Sequence, residues 1–382
     1  MKRSTWLDIL TSMAGITAPV SPRMRETLSS VDQALFDSWH LGEKILLVWT
    51  HAHGELRFLA IPHYSLLEAT DSGSMNALLA GPKHVSAGTF DATCRALGSR
   101  AEVIRIAMSD EEQVPVELLS SLVTRYGVTL VHERAVVLLD IVGFSLRTPL
   151  EQVAMLNSLS YSVNSAYSQL ASKDIQINFA RTTTGDGFYI WNRARTRDAN
   201  VALYKLMMLM LADNAVAHAK AGTFPVPRLR AAFHVGEHYE FYQVEALNPT
   251  TFGYIVGPVT VELARMLSSA EAGQIVLGKF DVAGQSGQDR LETPGFVDVT
   301  AESLDHLSGL SVAGDHIRTI RCYLTGASTP AGGFETVAFN VTDKHGLSHT
   351  VYNAKINIHL ERTAPIYLGI QHKDVTWPAV TQ

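Results

Sequence analysis

Residues 135–142, AVVLLDIV, form a continuous apolar run that carries a single carboxylate, Asp140, and ends in the turn GFS. A run of this kind, rich in β-branched residues and closed by a turn, is the pattern of a buried strand. It constrains the rest of the chain, because a buried strand needs partner strands and a covering layer. Helical spacing follows over residues 150–172, with Val153, Leu156, Leu159, Tyr161, Val163, Tyr167 and Leu170. A strand IQINFA leads into TTTGDG and a second strand, FYIWN, leaves it. Residues 198–221 predict another helix, whose Met207, Met208 and Met210 are core filler. Then come RLRAAFHVGE, an extended stretch at Tyr239–Val244, the strand TFGYIV, a helix over 258–270 and the strand QIVLG. The order β-α-β-β-α-β-β-α-β predicts an α+β fold, a ferredoxin-like βαββαβ core with an added hairpin.

At 382 residues the chain is long enough for two or three such units. Hydrophobic residues make up 46% and charged residues 18%, enough apolar material to exclude global disorder. The formal net charge of -6 gives no general attraction to nucleic acid or anionic membranes. Cys94 and Cys322 are too few for a disulfide framework or a thiolate zinc site. The N-terminus has a charged start, but Asp8 and Thr11 interrupt what would be a signal-peptide core. No apolar run is long enough to span a bilayer, so a cytoplasmic protein without stable membrane insertion is expected.

Three segments are expected. Residues 1–130 read as an N-terminal helical/α+β regulatory region, with short helices over 1–40 punctuated by Pro19 and Pro22. Within it KILLVWT, a turn at HAHGE and LRFLAI predict a hairpin, whose paired His51 and His53 are more simply solvent-facing residues than metal ligands. Residues 131–325 hold the core, although 279–333 is rich in Gly, Ser and Asp and reads as a looser connection. Residues 334–382 alternate like strands and predict a small appended β module.

Two aspartates carry the candidate chemistry. Asp140 ends the buried strand, and the amides that follow at Val142, Gly143, Phe144 and Ser145 can cradle a phosphate. Asp186 lies at the tip of TTTGDGFYI between Gly185 and Gly187. The predicted topology sets the two strand ends side by side, where paired carboxylates offer hard oxygen ligands to divalent cations. Either aspartate alone is more simply a cap or a turn residue.

VVLLDIVGFS, TTGDGFYIW, RLRAAFHVGE and GPVTVELARMLSSAEAGQIVLG, in that order over about residues 130–325, resemble the class III nucleotidyl cyclase catalytic domain. The resemblance implies Asp140, Ile141 and Asp186 as the binding set for two divalent ions, Mn²⁺ or Mg²⁺. It implies Arg265, in ELARM, as the arginine that stabilises the transition state. Because the family's site lies between protomers, it also implies a head-to-tail homodimer.

The chain departs from the family where the base is read. ATP-using members carry Lys, and GTP-using members Glu, four residues before the second metal aspartate; here that position is Thr182, beside Arg181. The second base-reading position, Asp or Cys in the family, falls on Tyr254. The ribose-orienting Asn falls on Val261, between Thr260 and Glu262, and only Arg318 stands near the place of the phosphate-binding Lys. A phenol at Tyr254 takes volume a two-ring base needs, while Arg181 or Thr182 can donate to a pyrimidine carbonyl. This resembles the pyrimidine cyclases of bacterial Pycsar antiphage systems. The expected activity is conversion of UTP to 3′,5′-cyclic UMP and diphosphate, the product switching on a separate effector. A cytidylate cyclase, a conventional adenylyl or guanylyl cyclase and an inactive nucleotide sensor stay open as alternatives.

Overall fold

The computed structural model describes residues 20–68, 72–106, 114–222, 224–245, 248–284, 289–312, 314–329, 334–343 and 345–380. The chain divides into two compact units, Met1–Val131 with Tyr239–Ile255, and His132–His238 with Val256–Gln382.

In the first unit, helix α1 (Pro22–Trp39) starts where the Ser21 hydroxyl accepts the Met24 amide at 3.1 Å, with Pro22 at the first helical position. Met24, Leu28, Val31 and Leu35 recur at helical spacing and form its buried face. It is one continuous helix from Pro22; the expected helical pieces before it lie outside the described residues. Strands β1 (Lys44–Ala52) and β2 (Glu55–Pro62) pair antiparallel, and His53 and Gly54, both at positive φ, make the tight turn. Strand β3 (Glu102–Arg105) adds to β2. Helices α2 (Ser72–Ala80), α3 (Ala87–Ala96) and α4 (Val116–Thr124) complete the unit. Trp49, Leu56 and Phe58 are buried against α1 and α4 residues in its core.

The second unit carries the predicted core. Its elements are most of β4 (Val128–Ile141), α5 (Pro149–Ala171), β5 (Phe179–Thr183), β6 (Gly187–Asn192), α6 (Arg197–Lys220) and β7 (Leu229–Glu245) as far as His238. The sheet order β7-β4-β6-β5 is the 4-1-3-2 arrangement of a ferredoxin-like βαββαβ fold. A capping box between Thr148 and Glu151 opens α5, and the Thr196 hydroxyl caps α6 through the Ala199 amide at 3.2 Å. Helix α6 is buried almost all round, and Met207, Met208 and Met210 lie in the core as expected. Ala135, Val137, Leu139 and Ile141 of β4 face that helical core. Strand alternation therefore puts Asp140 on the opposite face of the sheet.

The structure corrects four expectations. Strand β5 begins at Phe179 rather than at Ile175, and it carries Arg181 and Thr182 within the ladder. RLRAAFHVGE and the stretch after it form one 17-residue strand, β7, which pairs with β8 (Asn248–Val256). After α7 (Pro258–Ser268), strand β9 (Ile275–Gly278) lies parallel to β7. Residues 279–333 are not a loose connection. They include the hairpin β10 (Asp281–Ala283) and β11 (Arg290–Glu292), helix α8 (Thr293–Glu302), and strands β12 (Ser311–Val312) and β13 (Asp315–Leu324). Nor are the C-terminal strands appended to a finished core. Strand β15 (Ser348–Leu360) lies between β9 and β13 in the main sheet, and β14 (Ala338–Thr342) and β16 (Ile366–Leu368) pair with it.

Candidate functional site

The site is built where β4 and β6 meet. Asp140 stands opposite Gly187, and the Ile141 amide donates to the Asp186 carbonyl at 3.0 Å, so the two aspartates sit on adjoining strand ends. Gly187 has no alternative here: a Cβ would lie 1.8 Å from the Leu139 carbonyl oxygen. Gly185 supplies the turn with φ of 99°. The Gly185 amide donates to Thr183 Oγ1 at 3.0 Å, and Thr184 Oγ1 donates to Asp186 Oδ1 at 3.3 Å.

Asp140 is half-buried. Arg230, on β7, donates from Nε to Asp140 Oδ2 at 2.6 Å and from Nη1 to the Ala270 carbonyl at 3.0 Å. Burial pushes the Asp140 carboxyl above the usual carboxylate range and the Asp186 charge adds to this, with Arg230 opposing both. Arg230 was hidden in the sequence between apolar neighbours of a strand; its signal was a charge at a position where strand alternation turns toward Asp140.

The turn after Asp140 is partly as expected. The Val142 amide is spent on the Arg228 carbonyl at 2.9 Å, which removes it from the expected phosphate cradle. The amides of Gly143, Phe144 and Ser145 donate to no acceptor among the described residues, and Gly143 holds φ of 69°. Ile141 is buried, its amide committed to Asp186.

The base-reading candidates fall in different places. Arg181 and Thr182 lie on β5, with the Arg181 guanidinium 5.0 Å above the Phe188 ring. Tyr254 lies on β8 in the first unit, stacked on Phe241 with centroids 5.5 Å apart. Arg265 projects from α7 and forms an ion pair, Nε to Asp343 Oδ2, at 3.0 Å. On the same helix Val261 is exposed and Glu262 pairs with the buried His234 at 2.6 Å. That hydrogen bond holds the Glu262 carboxyl below its usual range against the opposing effect of burial. Arg318 is exposed on β13.

Asp140 and Asp186 offer the hard carboxylate oxygens that a divalent cation takes, although Arg230 already pairs with one oxygen of Asp140. Asp140 is half-buried and Asp186 is turn-borne, and the upward shift of Asp140 shows that Arg230 only partly offsets its burial and the Asp186 charge. Among the described residues no group of three or more His, Cys, Asp or Glu side chains is placed to hold a metal. No described helix is long and apolar enough to cross a membrane.

No family model and no curated protein matches the chain. Among solved structures it is similar to the guanylate cyclase domain of RhGC from Catenaria anguillulae in complex with GTP. The identity is 11% over 61% of this chain and 100% of that one, with a TM-score of 0.36. It is also similar to the adenylyl cyclase CyaB from P. aeruginosa, at 13% identity over 62% of this chain and 97% of that one, TM-score 0.35. These values are low, and the sheet order described above stands on its own hydrogen bonds.

Proposed function

We propose that this chain is a nucleotide cyclase that turns a nucleoside triphosphate into a 3′,5′-cyclic nucleotide and diphosphate. The observation that carries the reading is the Asp140–Asp186 pair on adjoining strand ends of a βαββαβ sheet, followed at once by three unpaired amides. In the reaction the ribose 3′-oxygen forms a bond to the α-phosphorus. The bond from that phosphorus to the bridging oxygen breaks, and the 3′-hydroxyl proton passes to solvent. Asp140 and Asp186, with Ile141 between the strand ends, would hold two divalent ions, Mn²⁺ or Mg²⁺. When bound, such ions lower the pKa of the 3′-hydroxyl and neutralise the triphosphate. Arg230 fixes one oxygen of Asp140. The amides of Gly143, Phe144 and Ser145 donate to phosphate oxygens. Arg265, supplied from the second chain of a homodimer, donates to the charge that grows on the α-phosphate.

The finer reading is a uridylate cyclase of the Pycsar kind, whose cyclic UMP activates a separate effector in antiphage defence. What supports it is Arg181 and Thr182 at the base-reading position in place of Lys or Glu. An Arg donor matches uracil O4 better than the cytosine amine. Tyr254, stacked on Phe241, favours the second reading, in which it is a packing residue and the enzyme uses a purine.

The test is incubation of the full chain with ATP, GTP, CTP and UTP separately, with Mn²⁺, and identification of products by mass. Cyclic UMP from UTP alone is expected, and Asp186→Asn should reduce its formation by about a thousandfold while the fold is kept. A purine product alone would sink the pyrimidine reading. No product from any nucleotide would sink the cyclase reading.

A further inference from the structure

Asp343 is a buried carboxylate in a place that does not need one. It follows β14 in the turn to β15, and its side chain is 2% exposed. Its Oδ1 accepts the amides of His345 and Leu347 at 2.8 and 2.9 Å. The Asp343 amide itself donates to the Leu347 carbonyl, and Gly346, with φ of 79°, closes the loop back onto the Asp343 carbonyl. A neutral Asn would serve this turn equally well. Burying a charge is costly unless the charge is paired, so the second oxygen identifies what the carboxylate is for.

That second oxygen, Oδ2, faces Arg265 Nε at 3.0 Å and His349 Nε2 at 3.6 Å. Burial pushes the Asp343 carboxyl up, but the two amides, His349 and Arg265 together hold it below its usual range, so it stays anionic. Arg265 approaches Asp343 most closely through Nε, as an ion pair that leaves the buried Oδ2 without a hydrogen-bond donor, and its side chain is 30% exposed. Its two terminal amino groups donate to no acceptor among the described residues, which leaves that edge of the guanidinium fork for an anion. The other carboxylate nearby on α7, Glu262, is committed to His234.

We propose that Asp343 is a positioning residue for Arg265: its buried charge holds the guanidinium by an ion pair on the Nε side and leaves the terminal amino groups to face the phosphate undergoing transfer. The inference rests on the cyclase reading and assigns the β14–β15 turn a part in catalysis. An arginine that acts on transition-state charge loses most of its effect when its aim is relaxed by about an ångström.

Asp343→Asn keeps the shape and the Oδ1 acceptor but removes the charge. Its kcat for cyclic nucleotide formation should fall about tenfold or more, with KM changed less than about twofold and the melting temperature held. On an Arg265→Ala background the same substitution should cause no further loss, because the two residues act as one. Wild-type kcat in Asp343→Asn, or an equal loss on both backgrounds, overturns the proposal. Asp343→Glu serves if the Asn variant does not fold: it keeps the charge and displaces it by one methylene, so kcat should again fall at constant KM. Full activity in that variant also overturns it. Should wild type make no product from any of the four nucleotides, the cyclase reading fails and takes this proposal with it. An active wild type beside an unaffected Asp343→Asn removes this proposal alone.

Discussion

Asp315 shows how one carboxylate of this fold is kept ionised. Burial pushes its carboxyl up, yet the Thr363 hydroxyl and the amides of Arg362, His316 and Thr363 outweigh that and hold it well below the usual range. Arg362 adds an ion pair at 3.3 Å. The folded-state pKa lies below the unfolded value of about 3.9, so the stabilisation is whole above that pH and is lost as the pH falls through the folded value. Asp315→Asn should therefore lower the melting temperature by about 3 °C at pH 7. The gap to wild type should narrow as the pH drops below about 4. Melting curves of both proteins from pH 7 to pH 3 read it directly, and a gap that widened with acid would contradict the assignment. Asp140 differs in kind: its net shift is upward, because burial and Asp186 outweigh Arg230. Asp140 has a second carboxylate beside it and one arginine partner, whereas Asp315 is surrounded by donors.

At the scale of the hairpin, two glycines flank Asp186 for different reasons. Gly187 lies against β4, where a Cβ would meet the Leu139 carbonyl oxygen at 1.8 Å; Gly185 has open space around its Cβ position but a φ of 99°. Gly187→Ala must push the strands apart and should cost about 3 kcal/mol. Gly185→Ala costs only the strain of positive φ, about 1–2 kcal/mol. Denaturant midpoints of the two variants should fall in that order, and the reverse order would place the close approach at the wrong residue. The hairpin was legible because glycine, aspartate and alternating apolar residues mark it locally, as was the 4-1-3-2 core built from such runs. What could not be read was non-local or disguised. Gly236, Glu237 and His238 look like a strand end, but β7 runs through them. Arg230 had no assigned role, because nothing local says that β4 and its Asp140 lie beside it, and Asp343 lay outside every segment given a chemical role. Sequence periodicity specifies that a strand exists and which face is apolar; it does not specify which strand will lie beside it.

For the molecule as a whole, the consequence lies in β15. Its partners are β9 and β13, and Val351, Ala354, Ile356 and Ile358 are fully buried. A module added to a finished domain can be removed and leaves a soluble remainder. A strand that fills the middle of a sheet cannot. Ending the chain at residue 333 would leave β9 and β13 with open hydrogen-bonding edges and strip the apolar cover from the core that Ile275, Leu277 and Cys322 share with it. It would also remove Asp343 and with it the partner of Arg265. The truncated chain should therefore fail to give a soluble protein with a cooperative melt, and should show no cyclase activity, rather than behave as a deregulated enzyme. Expression of residues 1–333 beside the full chain, followed by size-exclusion chromatography and thermal melting, distinguishes the two. A soluble, cooperatively folding fragment would mean that β9 and β13 can close the sheet without β15, and the C-terminal strands would then be a separable module.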